Sequence, residues 1–140
     1  MTDRQGRLPH RVGGAPILLV EDDDPLREIL ARHLRARGHE IHEAASAEDA
    51  VEALQAGLRP GLVLLDINLP GDSGWSLLRG TTLAAAGDPP VIVASATTVD
   101  PRRLHEYHVA GYLPKPFPLQ TLLEAIERLT ATGPSTEVSE

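Results

Sequence analysis

The sequence predicts a doubly wound α/β domain: a parallel sheet of five strands with helices on both faces. Two observations carry this expectation. Short runs rich in Leu, Ile, Val and Ala recur along the chain, and segments of helical period separate them. The runs are apolar throughout rather than alternating, as parallel strands covered on both sides must be.

Ile17 to Val20 forms the first run. Asp24 and Pro25 read as an N-cap and first-turn pair, after which Leu26, Ile29, Leu30 and Leu34 share a face until Gly38 ends the helix. A weaker run surrounds Ile41. Ser46 can then cap a helix with the stripe Ala47, Ala50, Val51 and Leu54, and Gly57 lies just past its end. Leu62 to Leu65 is the third run, and Trp75, Leu77 and Leu78 suggest a third helix with less definite bounds. Val91 to Ala94 follows, then Asp100 and Pro101 repeat the cap signature. Gly111 to Leu113 is the fifth run, and Leu119, Leu122, Leu123, Ile126 and Leu129 give the last helix its core face. Each strand is thus expected to be followed by one helix, within a domain at 15–130. Residues 1–14 read as a loose lead-in and 131–140 as a polar tail.

Composition narrows the function. With 140 residues the chain fits one ordinary domain with a real core and leaves no room for a second. The absence of Cys excludes disulfide frameworks, thiol catalysis and Cys-type zinc sites. A net charge of -7 repels phosphate backbones, so direct nucleic-acid binding would need a concentrated basic patch. Arg32, Arg35 and Arg37 sit among acidic neighbours and read instead as a solvated helix face. No apolar stretch is long enough to cross a bilayer, and Met1 to Gly14 lacks the apolar block of a signal peptide, so a cytoplasmic location is expected. Among His10, His33, His39, His42, His105 and His108, only the last two look paired, on one helical face. Without a third ligand they read as exposed or half-buried helix residues. Trp75 and Tyr107 read as packing residues.

Doubly wound sheets place their working groups at the carboxyl ends of the strands, beside the switch in strand order. Glu21, Asp22 and Asp23 follow the first run, Asp66 the third, Ser95 the fourth and Lys115 the fifth. Crowded carboxylates need a cation or strong hydrogen bonds to offset their repulsion. Mg²⁺ would suit Asp22 and Asp66 with a carbonyl just past Asp66, and Glu21 could reach it through water. A carboxylate so placed can attack phosphorus, giving an acyl phosphate whose oxygens Lys115 and Ser95 would compensate. Singly, each feature has a plainer reading: Glu21 to Asp24 as a solvated helix start, Asp66 as a strand end, Ser95 and Lys115 as surface or capping residues. Their convergence from four strand ends favours the site.

The runs Ile17-Leu18-Leu19-Val20-Glu21-Asp22-Asp23 and Leu62-Val63-Leu64-Leu65-Asp66-Ile67-Asn68-Leu69-Pro70-Gly71, the pair Ser95-Ala96, and Tyr112-Leu113-Pro114-Lys115-Pro116-Phe117 together resemble the receiver domains of bacterial two-component response regulators. The similarity spans roughly Ala15 to Leu129, and the chain is similar to single-domain, chemotaxis-type receivers. It implies a flavodoxin-like (βα)5 fold and a phosphorelay switch with Asp66 as phosphoacceptor. Mg²⁺ would be held by Asp22, Asp66 and the backbone carbonyl of Asn68, with Glu21 as a further member of the acidic pocket. Lys115 would pair with phosphoryl oxygens, Ser95 would move to meet them, and Tyr112 would turn into the space Ser95 leaves. A cis peptide between Lys115 and Pro116 is also implied, and Asn68 lies where relatives tune the lifetime of the phosphoryl group.

The implied partners are a sensor histidine kinase or phosphotransfer protein and a downstream protein target, with self-association through the last two α/β units. Such a chain promotes its own phosphorylation and dephosphorylation and is not an enzyme on external substrates. Some features depart from the family pattern. The stretch from Ser95 to Lys115 is slightly short, and Val109-Ala110-Gly111 replaces the usual acidic pair, which bears on the length of the fourth helix. Glu21 stands where many relatives have Asp, and Thr97 puts a small polar side chain at the pocket mouth. The alternatives are a receiver-fold docking module that signals without phosphorylation, or an aspartyl-phosphate hydrolase of haloacid-dehalogenase type. The hydrolase pattern needs a second acid where Asn68 stands. A nucleotide-binding Rossmann domain would need glycines where Glu21 to Asp23 stand.

Overall fold

In a computed structural model, residues 14–71 and 73–131 are described. The expected lead-in before them, the tail beyond them and His10 lie outside the described residues. The elements run β1 (Ile17–Val20), α1 (Asp24–Ala36), β2 (Ile41–Ala44), α2 (Ala47–Gln55), β3 (Leu62–Asp66), α3 (Gly74–Arg79), α4 (Thr82–Ala85), β4 (Val91–Ser95), α5 (Pro101–Glu106), β5 (Gly111–Pro114) and α6 (Leu119–Ala131). All strand pairs are parallel, in the order β2-β1-β3-β4-β5. The order reverses between β1 and β3, the place where doubly wound sheets open a crevice.

The apolar strands are explained by burial on both faces. Leu18, Val20, Val63, Leu65 and Val93 pack with residues of α2, α3 and α4, while Ile17, Leu19, Leu62, Leu64 and Ile92 pack with α1 and α6. Successive side chains of a strand therefore enter opposite layers, and no position on β1, β3 or β4 is left to solvent.

Several local expectations are corrected. The cap of α1 is Asp23, whose side chain accepts the Leu26 N–H at 3.1 Å, so Asp24 and Pro25 already belong to the first turn. Ile29 is 44% exposed, and Ala31 takes its place beside the buried Leu30 and Leu34. The third helical segment is two short helices, broken at Gly80 and Thr81, so β3 is followed by two helices and not one. His108 lies beyond α5 in a turn with φ of 54°, so the two histidines do not share a helical face. Ser46 and Asp100 do cap as expected, accepting the N–H of Asp49 and Arg102 at 3.0 and 2.9 Å.

Candidate functional site

Sheet register sets the site. Asp66 ends β3 opposite Ala94, and Ser95 ends β4 opposite Pro114. The ladder runs one step past the strands: Glu21 N–H donates to Ala44 at 3.0 Å, Ile67 to Ala94 at 2.9 Å and Lys115 to Ser95 at 2.7 Å. The backbones around the acids and the lysine are thus fixed as rigidly as the sheet.

Carboxylate oxygens of Glu21, Asp22 and Asp66 lie within 4.8 Å of one another, from two strand ends that neighbour across the switch. Glu21 and Asp66 are buried, whereas Asp22 is exposed. Lys115 Nζ donates to Glu21 Oε1 at 2.8 Å and to Asp66 Oδ2 at 3.2 Å. Asp66 Oδ1 accepts the Asn68 N–H at 2.9 Å, and Glu21 Oε2 accepts the Asp23 N–H at 3.2 Å. Burial pushes Glu21 from 4.5 up to about 7; its hydrogen bonds from Lys115 and the Asp23 amide pull the other way. Burial by itself would lower Lys115, but the hydrogen bond and charge of Glu21, then Asp66, outweigh it and hold the ammonium above its ordinary value. Three hard oxygen donors, one open to solvent, fit a small divalent cation such as Mg²⁺, which keeps several of its waters.

Ser95 is 1% exposed and its hydroxyl is fully engaged. Oγ can donate to Asn68 Oδ1 at 2.9 Å or to the Thr97 carbonyl at 2.8 Å, and it accepts the Thr97 N–H at 3.0 Å. Asn68 Oδ1 also accepts the Ala96 N–H at 2.9 Å, and Asn68 Nδ2 donates to Thr97 Oγ1 at 3.1 Å. Tyr112 is half-buried against the core, its hydroxyl 3.5 Å from the Thr97 carbonyl. The Lys115–Pro116 peptide is cis. Trp75 carries Arg103 over its ring at 3.8 Å, packs against Tyr107 at 5.7 Å, and lines a cavity with Asn68 and Thr97. Trp75 and Tyr107 therefore pack together, and Trp75 borders the site.

Two contributors escape a reading of motifs. A Cβ on Gly74 would come within 2.9 Å of the Asp66 carbonyl oxygen and of Ile67 Cα, so only glycine lets α3 start this close to the end of β3. A glycine opening a helix soon after a strand-end acid was the available signal. Arg27 reaches the Glu21 carbonyl at 2.8 Å, a contact no spacing rule announces.

A parallel sheet with an acidic, lysine-bridged pocket at its switch point defines the class: an α/β switch domain suited to Mg²⁺ and phosphoaspartate. The family description "Response regulator receiver domain" matches residues 17–127, and the chain belongs to that family. It is 34% identical over 128 residues to the phosphate regulon transcriptional regulatory protein PhoB of Pseudomonas aeruginosa, covering 87% of this chain and 56% of the relative. The chain thus spans about half the length of that relative. Among solved structures it is similar to the non-phosphorylated HemR receiver domain of Leptospira biflexa, at 31% identity and TM-score 0.74, covering 86% of this chain and 98% of the other. It is also similar to TrrA of Thermotoga maritima in complex with Mg²⁺ and BeF, at 30% identity and TM-score 0.71, covering 82% and 98%. Among the described residues no helix is long and apolar enough to cross a membrane.

Proposed function

We propose that this chain accepts a phosphoryl group on Asp66 from a sensor histidine kinase or a phosphotransfer protein, and that a downstream protein reads the change. The observation that carries the proposal is the position of Lys115, within hydrogen-bond distance of both Glu21 and Asp66 where three acids meet. Asp22, Asp66 and the Asn68 backbone carbonyl would hold Mg²⁺, with Glu21 reaching it through water. When bound, the ion would neutralise charge gathering on phosphoryl oxygens.

In the transfer, an Asp66 carboxylate oxygen bonds to phosphorus while the donor's bond to phosphorus breaks, its leaving group keeping the electron pair. Lys115 pairs with an oxygen of the incoming group, and sheet-fixed backbone keeps the partners in line, so most of the catalysis is positioning. Hydrolysis of the acyl phosphate by water returns the carboxylate. The chain thus promotes its own phosphorylation and dephosphorylation and transforms no separate substrate.

The added charge then competes with Asn68 for the Ser95 hydroxyl. Ser95 shifts toward the phosphoryl group, the loop bearing Thr97 follows, and Tyr112 turns into the vacated space, altering the surface around α5 and β5. Residues 15–130 carry this activity.

Incubation with Mg²⁺ and a small-molecule phosphodonor, followed by intact-mass measurement, tests the reading. One phosphoryl adduct is expected, absent from Asp66→Asn and labile in base. No adduct on wild-type protein under these conditions would favour a docking role without phosphorylation.

A further inference from the structure

Arg27, in the first turn of α1, spreads one guanidinium over three oxygens. Nη1 donates to the Glu21 carbonyl at 2.8 Å, Nε to Glu43 Oε1 at 3.2 Å, and Nη2 lies 2.7 Å from Asp24 Oδ1. Its side chain is only 13% exposed, and its contacts to Glu21 and Glu43 are partly sheltered from water, whereas Asp24 stands in solvent. Glu43, on β2, is held from its other oxygen by Arg35, whose Nη1 lies 3.1 Å away and whose Nη2 donates to the Ile41 carbonyl at 3.1 Å. The edge strand thus offers Arg27 a fixed anion, and Arg27 relays that fixity to the backbone between Glu21 and Asp22.

The loop needs such a tether. Asp22, Asp23 and Asp24 are consecutive, exposed and mutually repelling, and only two residues separate the end of β1 from the cap of α1. Arg27 does not neutralise Glu21 or Asp22: it binds the Glu21 backbone carbonyl, while the Glu21 side chain faces Lys115. Its effect on the pocket is therefore geometric.

We propose that Arg27, braced by Glu43, is a positioning residue for the divalent-cation site, holding the β1–α1 loop so that Glu21 and Asp22 stand in reach of Asp66. This rests on the Mg²⁺ reading given above. It also makes a prediction opposite in sign to simple electrostatics. Deleting a positive charge beside a cation site should tighten cation binding by Coulomb's law; deleting a tether should weaken it.

Mg²⁺ affinity of the full chain, measured by calorimetric titration well below the melting temperature, decides between them. Arg27→Met keeps the stem and loses the head, and Arg27→Lys keeps the charge but cannot span three oxygens. Both are expected to weaken Mg²⁺ binding by about tenfold or more. Glu43→Gln should act in the same direction but less, and Arg27→Met combined with Glu43→Gln should be no worse than Arg27→Met alone. A second readout needs no metal: the Asp23 amide, bonded to Glu21 Oε2 at 3.2 Å, should exchange its hydrogen faster in both Arg27 variants. Should Arg27→Met not fold, Arg27→Lys carries the test. Mg²⁺ binding that needs Asp22 and Asp66 but is undiminished in both Arg27 variants would overturn this inference alone. Wild-type binding that survives Asp22→Asn and Asp66→Asn would overturn the metal reading and this inference together.

Discussion

The Lys115 ammonium bridges Glu21 and Asp66, at 2.8 and 3.2 Å, so one cation from the end of β5 holds acids from the ends of β1 and β3. Both acid side chains are 4% exposed, which leaves them little water to replace that cation.

Removing it should therefore be costly. Lys115→Met in the metal-free protein is expected to lose about 3 kcal/mol of stability, because two desolvated carboxylates lose their partner. Saturating Mg²⁺ should recover part of that loss. Urea unfolding with and without Mg²⁺ checks this, and equal stability of variant and wild type without metal would contradict it.

Glu21 gives the metal-free protein an unusual pH dependence. Its folded value is raised from 4.5 to about 7, so across that window the folded state binds more protons than the unfolded one. Stability from this group is then fully present below 4.5 and is lost as pH rises through about 7. The contribution is on the order of a few kcal/mol. Glu21→Gln should flatten this part of the curve, and Mg²⁺ affinity of the wild type should rise across the same window as the competing proton leaves. A metal-free stability curve with the same slope in both proteins would show that Glu21 is not the group responsible.

Gly74→Ala tests the close approach of α3 to the end of β3 at Asp66. Its new Cβ would sit 2.9 Å from the Asp66 carbonyl oxygen, and since that neighbour is backbone, relief requires Asp66 or α3 to shift. A loss of about 1–3 kcal/mol is expected, with a slower rate of Asp66 modification that persists at temperatures where the variant is fully folded. Unchanged rate and stability would mean that the approach is easily relaxed.

Ile29 and Ile126 separate pattern from packing. Ile29 is 44% exposed and Ile126 fully buried. Ile29→Ser should change stability by no more than about 0.5 kcal/mol, whereas Ile126→Ala should cost about 2–5 kcal/mol. Thermal or chemical unfolding of the two variants gives the comparison.

Much of the fold was legible because burial on two faces leaves an unmistakable trace: Leu62 to Leu65 and Val91 to Ala94 admit no polar residue, and all are buried. The α1 stripe misplaced Ile29 because residue type alone cannot say whether Ile29 or Ala31 faces the sheet; the seating of α1 on β1 decides it. The cap moved to Asp23 because three successive aspartates offer equivalent side chains, and only backbone geometry selects one. The break at Gly80 and Thr81 is likewise a tertiary outcome, with Leu77 and Leu83 each buried from its own short helix. At the site, Glu21, Asp22, Asp66, Ser95 and Lys115 were legible as strand-end residues. Their convergence followed from topology, but the engagement of Ser95 by Asn68 and Thr97 did not, since it depends on how two loops meet.

The sheet order has a temporal consequence. Glu21 and Asp22 come early in translation, Asp66 midway and Lys115 late, yet β3 must insert beside β1 and β5 must dock on β4 before the four meet. A growing chain lacking its final strand holds the acids without their counter-ion. The lysine-bridged pocket is thus assembled only once β5 has docked, so a half-made molecule carries the acids without the cation that joins them.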